Sequence, residues 1–572
     1  MPQTVFLQRT KDGTPKRFAV RCGFSDKDKV KKAGLGTARW SKTEKVWTLP
    51  PDPVLLKQLM RVFPSLDISP DIREHLQYLV NKQQKMYKAT EIDAPLTEGG
   101  RLYPFQNASA RVLEAGESVI LGHSMGLGKT PIACSALELV NSEKVLIVCP
   151  SSVKWSWVDH LREWAGRTDL YVLEGSNIKS DIATVIFKSR GSHLYMLLNE
   201  MERYVLLMSY EMLRIHQDDF MSYDYDVIIF DEAHRLKNRD AGATQAALRV
   251  CERAHHKWLL TGTPVRNHYT DMFTLLSIVD PVRFGSYWNF VNTYLDTVPN
   301  MFGGVDIIGL RDEEEFNSML SVYMYRLTKD EVLPGLPPKI YRNITIPLLP
   351  EQQKLYSEME AEALVVFREM IDGGATLQQI VSAPNTVAQL IRLRQIALSP
   401  ELIGGPAVSA KLDVIEDLIE DCMAEEEKVL VFSYFRGFID LVGKLLTKMN
   451  VPYMEIVGGQ TSKERYKAQQ ALTDGEVPII IGTAQSMGEG MNLQAASTAI
   501  FCDLDWVPAN NLQAEDRIHR GDIKKSPNII RLYHPDTVEA DVWATCLRKE
   551  GVIDETIGTA EVIRNMMLRR GE

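Results

Sequence analysis

Gln513-Ala514-Glu515-Asp516-Arg517-Ile518-His519-Arg520 sets two guanidiniums three positions apart. If the segment is helical, Arg517 and Arg520 share a face, because i and i+3 are neighbours on a helix surface. Such a pair suits stabilising the charge of a transferring γ-phosphate, provided the chain also holds one. A cradle for it stands early. Met125-Gly126-Leu127-Gly128-Lys129-Thr130 follows the apolar run 118–121 and precedes the helix-patterned 133–139. Strand, glycine loop and helix form the context in which backbone N–H groups and a helix N-terminus receive phosphate oxygens. Lys129 would then reach the β- and γ-phosphates, and the Thr130 hydroxyl would hold Mg²⁺. Pro131 is compatible with a first helical turn, where its missing N–H has no helical partner. The strict G-x-x-x-x-G-K pattern fails at one place, His123, where its first glycine would fall.

A second acidic signal follows. Asp226-Val227-Ile228-Ile229-Phe230-Asp231-Glu232-Ala233-His234 reads as a buried parallel strand delivering two carboxylates to its C-terminal edge, where α/β sheets bind ligands. Asp231 would hold Mg²⁺, directly or through water. Glu232 would orient and deprotonate the attacking water, a poor nucleophile at neutral pH without a base. ATP hydrolysis is the predicted chemistry.

These segments belong to a longer ordered set. It includes Leu102-Tyr103-Pro104-Phe105-Gln106, Val148-Cys149-Pro150-Ser151-Ser152 with Trp157, Leu260-Thr261-Gly262-Thr263-Pro264, Arg326-Leu327-Thr328-Lys329 and Leu336-Pro337-Pro338-Lys339. Leu393-Arg394-Gln395, Val431-Phe432-Ser433 and Gly488-Glu489-Gly490-Met491-Asn492-Leu493 complete it. From about residue 98 to 548 the chain resembles Swi/Snf-type ATPases, double-stranded DNA translocases of helicase superfamily two. The resemblance implies two RecA-like parallel-sheet lobes with helical protrusions, an α/β fold using ATP and Mg²⁺. It implies that Gln106 reads adenine with Phe105 beside it, and that Gln513, Arg517 and Arg520 complete the ATP site when the lobes close. It implies DNA contacts at Pro150, Ser151, Ser152, Ser209, Tyr210, Thr261, Thr263, Ser433, Gly482 and Thr483. Little sequence specificity is expected, since phosphate contacts position a protein without reading bases. The chain has His123-Ser124 where the family usually has Asp-Glu, and Gly521-Asp522-Ile523 where it has Ile-Gly-Gln. Those departures bear on rate and coupling, not on a catalytic group.

The positioning elements follow from length and pattern. At 572 residues the chain exceeds one core, since single cores stop growing near about 250–300 residues. Apolar strands are expected at 145–149, 205–208, 227–230 and 258–260 in a first lobe, and at 428–432, 478–482 and 499–502 in a second. The expected layout is a basic β-rich module at 1–65, a polar helical linker at 66–95 closed by Gly99-Gly100, and lobe one at 96–280. Mostly helical, aromatic-rich protrusions at 281–410 (Phe284, Tyr287, Trp288, Phe290), lobe two at 411–548 and a basic helical tail at 549–572 complete it. Residues 17–50 loosely resemble the HARP-like module of annealing helicases, which rewind or remodel branched DNA.

Charge needs care. The net charge is −10, yet residues 1 to 60 hold thirteen Lys and Arg against five Asp and Glu, a local +8, leaving −18 for the remainder. Lys27, Lys29, Lys31 and Lys32 are densest, followed by Arg39, Trp40, Lys42, Lys45 and Trp47. Cations interleaved with aromatics suit nucleic acid. Trp47 is expected in a core; Trp40 is open between core and contact. Seven scattered cysteines without a C-x-x-C pair point away from a zinc module and toward a reducing compartment. No apolar stretch approaches the roughly 20 residues of a membrane span. The combined expectation is a monomeric, cytoplasmic, nucleoid-associated translocase of bacterial or phage origin on double-stranded or branched DNA. Its alternatives are a protein-displacing remodeller, a strand-separating helicase, or a non-hydrolysing scaffold.

Overall fold

The computed structural model describes residues 3–548 except residue 12, segments 93–101, 175–176, 181–183, 187–199, 263–268, 300–304, 375–382 and 488–490, and positions 492, 507 and 522. Gly99, Gly100, Thr263, Pro264, Gly488, Glu489, Gly490, Asn492, Asp522 and the basic tail therefore lie outside the described residues. Two compact units make up the chain, one built mainly from residues up to Thr328, the other mainly from Lys329 onward.

The first unit opens with a five-stranded sheet ordered β3-β4-β2-β1-β5: β1 (Thr4–Arg9), β2 (Pro15–Arg21), β3 (Arg39–Ser41), β4 (Val46–Leu49) and β5 (Asp67–Ile68). Helices α1 (Lys27–Ala33) and α2 (Pro53–Val62) cover one face, burying Val5, Phe18, Val20, Val30, Leu49, Leu55 and Leu59. Trp47 is only partly buried against this core, and Trp40, its cross-strand partner, remains 48% exposed.

Residues 66–92 form a strut. Helix α3 (Pro70–Thr90) looks polar in composition, but Ile72, Leu79 and Met86, seven apart, are all buried. Ile72 enters the module core and Leu79 the main core of the unit. A Cβ on Gly116, in helix α4 (Pro104–Gly116), would meet Met86 Sδ at 3.0 Å.

The main sheet is ordered β10-β9-β8-β11-β7-β12-β13-β6-β16. Its strands are β6 (Ser118–Leu121), β7 (Lys144–Cys149), β8 (Leu170–Glu174), β9 (Asn177–Ser180), β10 (Thr184–Ile186), β11 (Tyr204–Ser209), β12 (Val227–Asp231), β13 (His256–Leu260) and β16 (Met324–Tyr325). From β8 to β16 all pairings are parallel. Strands β11 and β12 are buried along their whole length, as continuous apolar runs in a sheet covered on both faces should be. The parallel pairing also brings the ends of β6, β7, β11, β12 and β13 to one edge.

Among its described residues the region 281–410 is less helical than its composition suggested. It holds a hairpin, β14 (Leu295–Pro299) with β15 (Val305–Leu310), and supplies edge strands to both large sheets, β16 to the first and β17 (Ile340–Thr345) to the second. Three of the four aromatics singled out there are at least partly packed: Phe284 and Phe290 are core and Tyr287 lies against them, while Trp288 is 54% exposed.

The second unit carries an all-parallel sheet ordered β17-β22-β21-β18-β20-β19, with β18 (Val429–Ser433), β19 (Tyr453–Ile456), β20 (Ile479–Thr483), β21 (Thr498–Phe501) and β22 (Asn528–Tyr533). The chain is thus α/β, with helices on parallel sheets.

A buried ionic cluster locks the N-terminal sheet to the first unit's main core. Asp52, capping α2, accepts from Arg283 Nε at 2.8 Å and from the Tyr294 hydroxyl at 2.6 Å. Arg283 Nη2 donates to Tyr294 at 2.7 Å, and Tyr323 donates to Asp280 at 2.7 Å. Asp52 and Arg283 are 3% and 7% exposed. Removing one partner of such a pair strands the other charge. Asp52→Ala is therefore expected to cost about 3–5 kcal/mol in equilibrium urea unfolding, while Asp52→Leu with Arg283→Met recovers most of that loss.

Candidate active site

The glycine loop enters helix α5 (Lys129–Leu139) through two residues in left-handed conformation, Gly126 (φ 81°) and Gly128 (φ 73°, the N-cap). Glycine is needed at both, because a side chain there is strained. Gly128 is also crowded: a Cβ would come 2.3 Å from Gln106 Nε2. Helix α4 thus sets Gln106 against the loop, with Phe105 stacked on Tyr103 at 5.7 Å. Lys129 begins α5, and its ammonium donates to the carbonyls of His123 (3.0 Å) and Ser124 (3.3 Å). Thr130 follows it, while Met125 and Leu127 complete the turn, Leu127 buried.

His123 explains the departure from the strict glycine pattern. Its Nδ1 accepts from the Leu327 N–H at 3.1 Å, so its Nε2 carries the hydrogen and donates to Ser109 Oγ at 2.7 Å. Ser109 donates in turn to the Phe105 carbonyl at 2.6 Å. One ring thereby ties the phosphate loop to the Phe105–Gln106 segment and to the segment just after β16. Burial pushes its pKa down to about 3, with the Lys129 charge adding to the effect.

Asp231 ends β12. Its Oδ2 accepts from Trp157 Nε1 at 2.9 Å and its Oδ1 from the Glu232 N–H at 2.9 Å. Burial, and then the neighbouring Glu232 charge, push its pKa up to about 6. Glu232 is buried and held at φ 51°, a backbone state costing on the order of 1–3 kcal/mol outside glycine. It approaches His234 Nδ1 at 3.2 Å. Two consecutive buried carboxylates, one resisting ionisation, make the hard-oxygen, excess-negative setting that a divalent cation compensates. Thr130 and Asp231 fit as its holders.

The expected DNA contacts that follow strands of the main sheet lie at the same strand ends, but most hydroxyls are engaged inside. Ser209 ends β11 and caps the helix Tyr210–Ile215. Tyr210 is buried and donates to the Asp231 carbonyl at 2.6 Å, which makes it a prop for the acidic strand end. Thr261, just beyond β13, is fully buried. Pro150 and Ser152, after β7, are buried and Ser151 is exposed.

In the second unit, Ser433 and Thr483 are register partners at the ends of β18 and β20. Ser433 Oγ donates to buried Asp503 at 2.6 Å, and Thr483 donates to Ser486 at 2.8 Å. Gly482 is tightly enclosed: a Cβ would lie 2.2 Å from the Ile456 carbonyl. Gln513 is buried in the helix Pro508–Glu515. That helix stops before Arg517, so the reading of Arg517 and Arg520 as one helical face is corrected: residues 516–518 turn instead. The two still converge, because both donate to the Met491 carbonyl, Arg517 Nη1 at 3.4 Å and Arg520 Nη2 at 2.7 Å.

Two lysines explain the turn. Lys329 Nζ binds Asp516 at 2.8 Å and the His519 carbonyl at 2.9 Å. Lys339 Nζ binds Asp516 at 2.9 Å and fully buried Glu515 at 3.0 Å, and Glu515 also pairs with Arg531. Burial alone would push Asp516 up, but Lys339 and Lys329 hold it below the usual carboxylate range. Their motifs were visible in the sequence; their role as clamps on the arginine turn was not, because the partners lie 176 to 190 residues away. Trp157 and His123 were also visible, but not their bonds to Asp231 and to the Leu327 N–H, whose partners lie 74 and 204 residues away.

Among the described residues no group of three His, Cys, Asp or Glu forms a metal cluster, and no helix is long and apolar enough to cross a membrane. A model of the SNF2-related domain matches residues 72–402, and one of the helicase conserved C-terminal domain matches residues 410–522. The DNA annealing helicase and endonuclease ZRANB3 of Mus musculus is 28% identical over 468 residues, 80% of this chain and 41% of that protein. The SWI/SNF-related matrix-associated actin-dependent regulator of chromatin subfamily A-like protein 1 of Drosophila melanogaster is 28% identical over 462 residues, 80% and 56% of the two chains. The chain spans about half the length of these curated relatives. The solved Sulfolobus solfataricus SWI2/SNF2 ATPase core in complex with dsDNA is 22% identical, covering 81% of this chain and 94% of that chain at TM-score 0.36.

Two outcomes follow. Lys129→Ala and Glu232→Gln should each lower steady-state ATP turnover by at least about 10²-fold, the lower end of what a positioned base contributes, with DNA affinity by anisotropy little changed. Wild-type turnover in either would overturn the assignment. For His123, the unfolded chain takes up a proton near the ordinary value of about 6.5, whereas the folded chain resists until about 3. Stability therefore falls with pH below about 6.5, by at most about 1.4 kcal/mol per pH unit for one proton. His123→Gln should flatten the urea-denaturation slope between pH 5 and 7 by that amount.

Proposed function

We propose that this chain, which belongs to the SNF2-related family, is a DNA-dependent ATP hydrolase and a translocase on double-stranded DNA that prefers branched or forked substrates. The carrying observation is the arrangement of Lys129, Asp231 and Glu232 around one strand edge, with Gln106 packed against the loop.

In this reading the loop 125–130 and the N-terminus of α5 receive the phosphates, and Lys129 leaves its loop carbonyls to contact them. Gln106 reads adenine beside Phe105. Thr130 and Asp231 would hold Mg²⁺, which would neutralise phosphate charge. Glu232 orients the attacking water and takes its proton, a task for which its fixed left-handed backbone is already set. Trp157 and Tyr210 keep Asp231 and its carbonyl in place. Gln513, Arg517 and Arg520 complete the site during the cycle, and the lysine clamp keeps the arginine turn in shape. Pro150, Ser151, Ser152, Ser209, Tyr210, Thr261, Ser433, Gly482 and Thr483 mark the strand edges along which the DNA backbone is gripped. Since most of their hydroxyls are internally bonded, backbone amides are the groups offered, which suits binding without sequence preference. Hydrolysis moves the duplex in steps.

The preference for branches draws on the basic N-terminal sheet and on relatives whose names describe annealing helicases. The protein is expected to work as a monomer in the cytoplasm of a bacterial cell, associated with the nucleoid.

Steady-state ATPase without nucleic acid, with single strands, linear duplex, a three-way fork and duplex RNA, at two salt concentrations, tests the reading. Strong stimulation by duplex, and more by the fork, is the expected result. Stimulation by single strands or RNA alone would refute the duplex track.

A further inference from the structure

The N-terminal sheet has two faces, and the lysine-rich one is not the one that meets the main core. Trp40, Trp47 and Leu49 lie on the side of α1 and α2, with Lys31 over the Trp47 ring at 5.7 Å. The opposite face carries Arg39, Thr48 and Ala19 in one register row. Across from it stand residues 281–289, and between them runs a cleft of about 530 Å³. Both walls belong to the first unit, joined by the Asp52–Arg283 lock and by Gly36, where a Cβ would meet Asn292 at 3.3 Å.

The lining chemistry is one-sided. Four of the eighteen lining residues are cationic (Lys16, Arg17, Arg39 and Arg283), and none is Asp or Glu. In a chain with 75 acids and 65 bases that selection is a strong local field for an anion. Arg283 is neutralised by Asp52, so Lys16, Arg17 and Arg39 set the charge. Arg39 is held by bonds from Nη1 to the Gly36 and Ala38 carbonyls at 2.9 and 3.1 Å. Hydroxyl and amide groups of Ser286 and Asn289 add donors. On the far wall sits Trp288, 54% exposed, an indole face in a basic groove.

Phosphate-binding cations beside a stacking platform are what single-stranded nucleic acid requires. The volume is that of a small-ligand pocket, about 300–1,000 Å³, enough for one or two unstacked nucleotides and too small for a duplex. We infer that this cleft binds the unpaired DNA strand at a branch point, with a base stacked on Trp288 and its phosphates on Lys16, Arg17 and Arg39. The inference rests on the reading of the chain as a DNA motor and names how a branch is told from plain duplex. The sorting residue, Trp288, lies outside the basic N-terminal stretch.

The test is anisotropy of the full chain with a fork carrying a single-stranded DNA arm, the same fork fully paired, linear duplex, and a fork with an RNA arm. Trp288→Ala should weaken binding of the single-stranded DNA arm by about 5- to 150-fold, the loss of one base stack, and Trp288→Phe should retain most of it. Lys16→Gln with Arg17→Gln should lower the salt slope for that arm by about 1.4, at roughly 0.7 per phosphate on single strands. Linear-duplex affinity and duplex-stimulated ATPase should be unchanged in Trp288→Ala. Wild-type affinity of Trp288→Ala for the armed fork, an equal loss on linear duplex, or preference for the RNA arm would overturn the proposal. If the unaltered chain showed no duplex stimulation, the motor reading would fail while the arm comparison stayed readable.

Discussion

Two adjacent carboxylates at the end of a buried strand are the constraint around which the candidate site is organised. Asp231 and Glu232 sit where burial and mutual repulsion oppose ionisation, and Asp231 is pushed up to about 6 as a result. The surroundings answer that strain piece by piece. Trp157 donates to one Asp231 oxygen, the next peptide N–H to the other, and Tyr210 fixes the carbonyl behind them. A buried charge is tolerated only when so compensated. The remaining deficit of positive charge is what makes the place fit for a cation and a polyphosphate.

The same logic of distant compensation governs the second unit. Glu515 is a buried acid and Asp516 a partly buried one, and their partners Lys339 and Lys329 arrive from the start of the unit's chain. Their bonds end a helix early and turn Arg517 and Arg520 toward one carbonyl. An arginine pair can therefore be useful without a helical face, provided the neighbouring acids are clamped.

Much of this was legible in the residues. The strands 145–149, 205–208, 227–230 and 258–260 matched β7, β11, β12 and β13 closely, because unbroken apolar runs in a sheet covered on both sides carry a strong signal. The glycine loop and the acidic pair were legible because their chemistry is local. What the sequence hid was of two kinds. Composition masked periodicity in α3, where Gln and Lys surround a stripe at Ile72, Leu79 and Met86, so a strut looked like a tether. Long-range polar contacts were invisible altogether: His123 with Leu327, Lys329 with Asp516, and Asp52 with Arg283 have no local pattern. Edge strand β17 was concealed because Ile340-Tyr341-Arg342-Asn343-Ile344-Thr345 lacks a strand's alternation and is almost wholly exposed.

The Asp52 lock has a consequence for how the chain is born. The core of the N-terminal sheet draws only on residues up to about Leu76, so it can assemble as soon as those have left the ribosome. Its lock cannot: the last member, Tyr323, is made 271 residues after Asp52, roughly 14–54 s later at about 5–20 residues per second. Through that interval Asp52 remains hydrated and the face bearing Arg39 stays open. A sheet whose core is complete early is then late to gain its final place, and the burial of one ion pair marks the moment at which the first unit is complete.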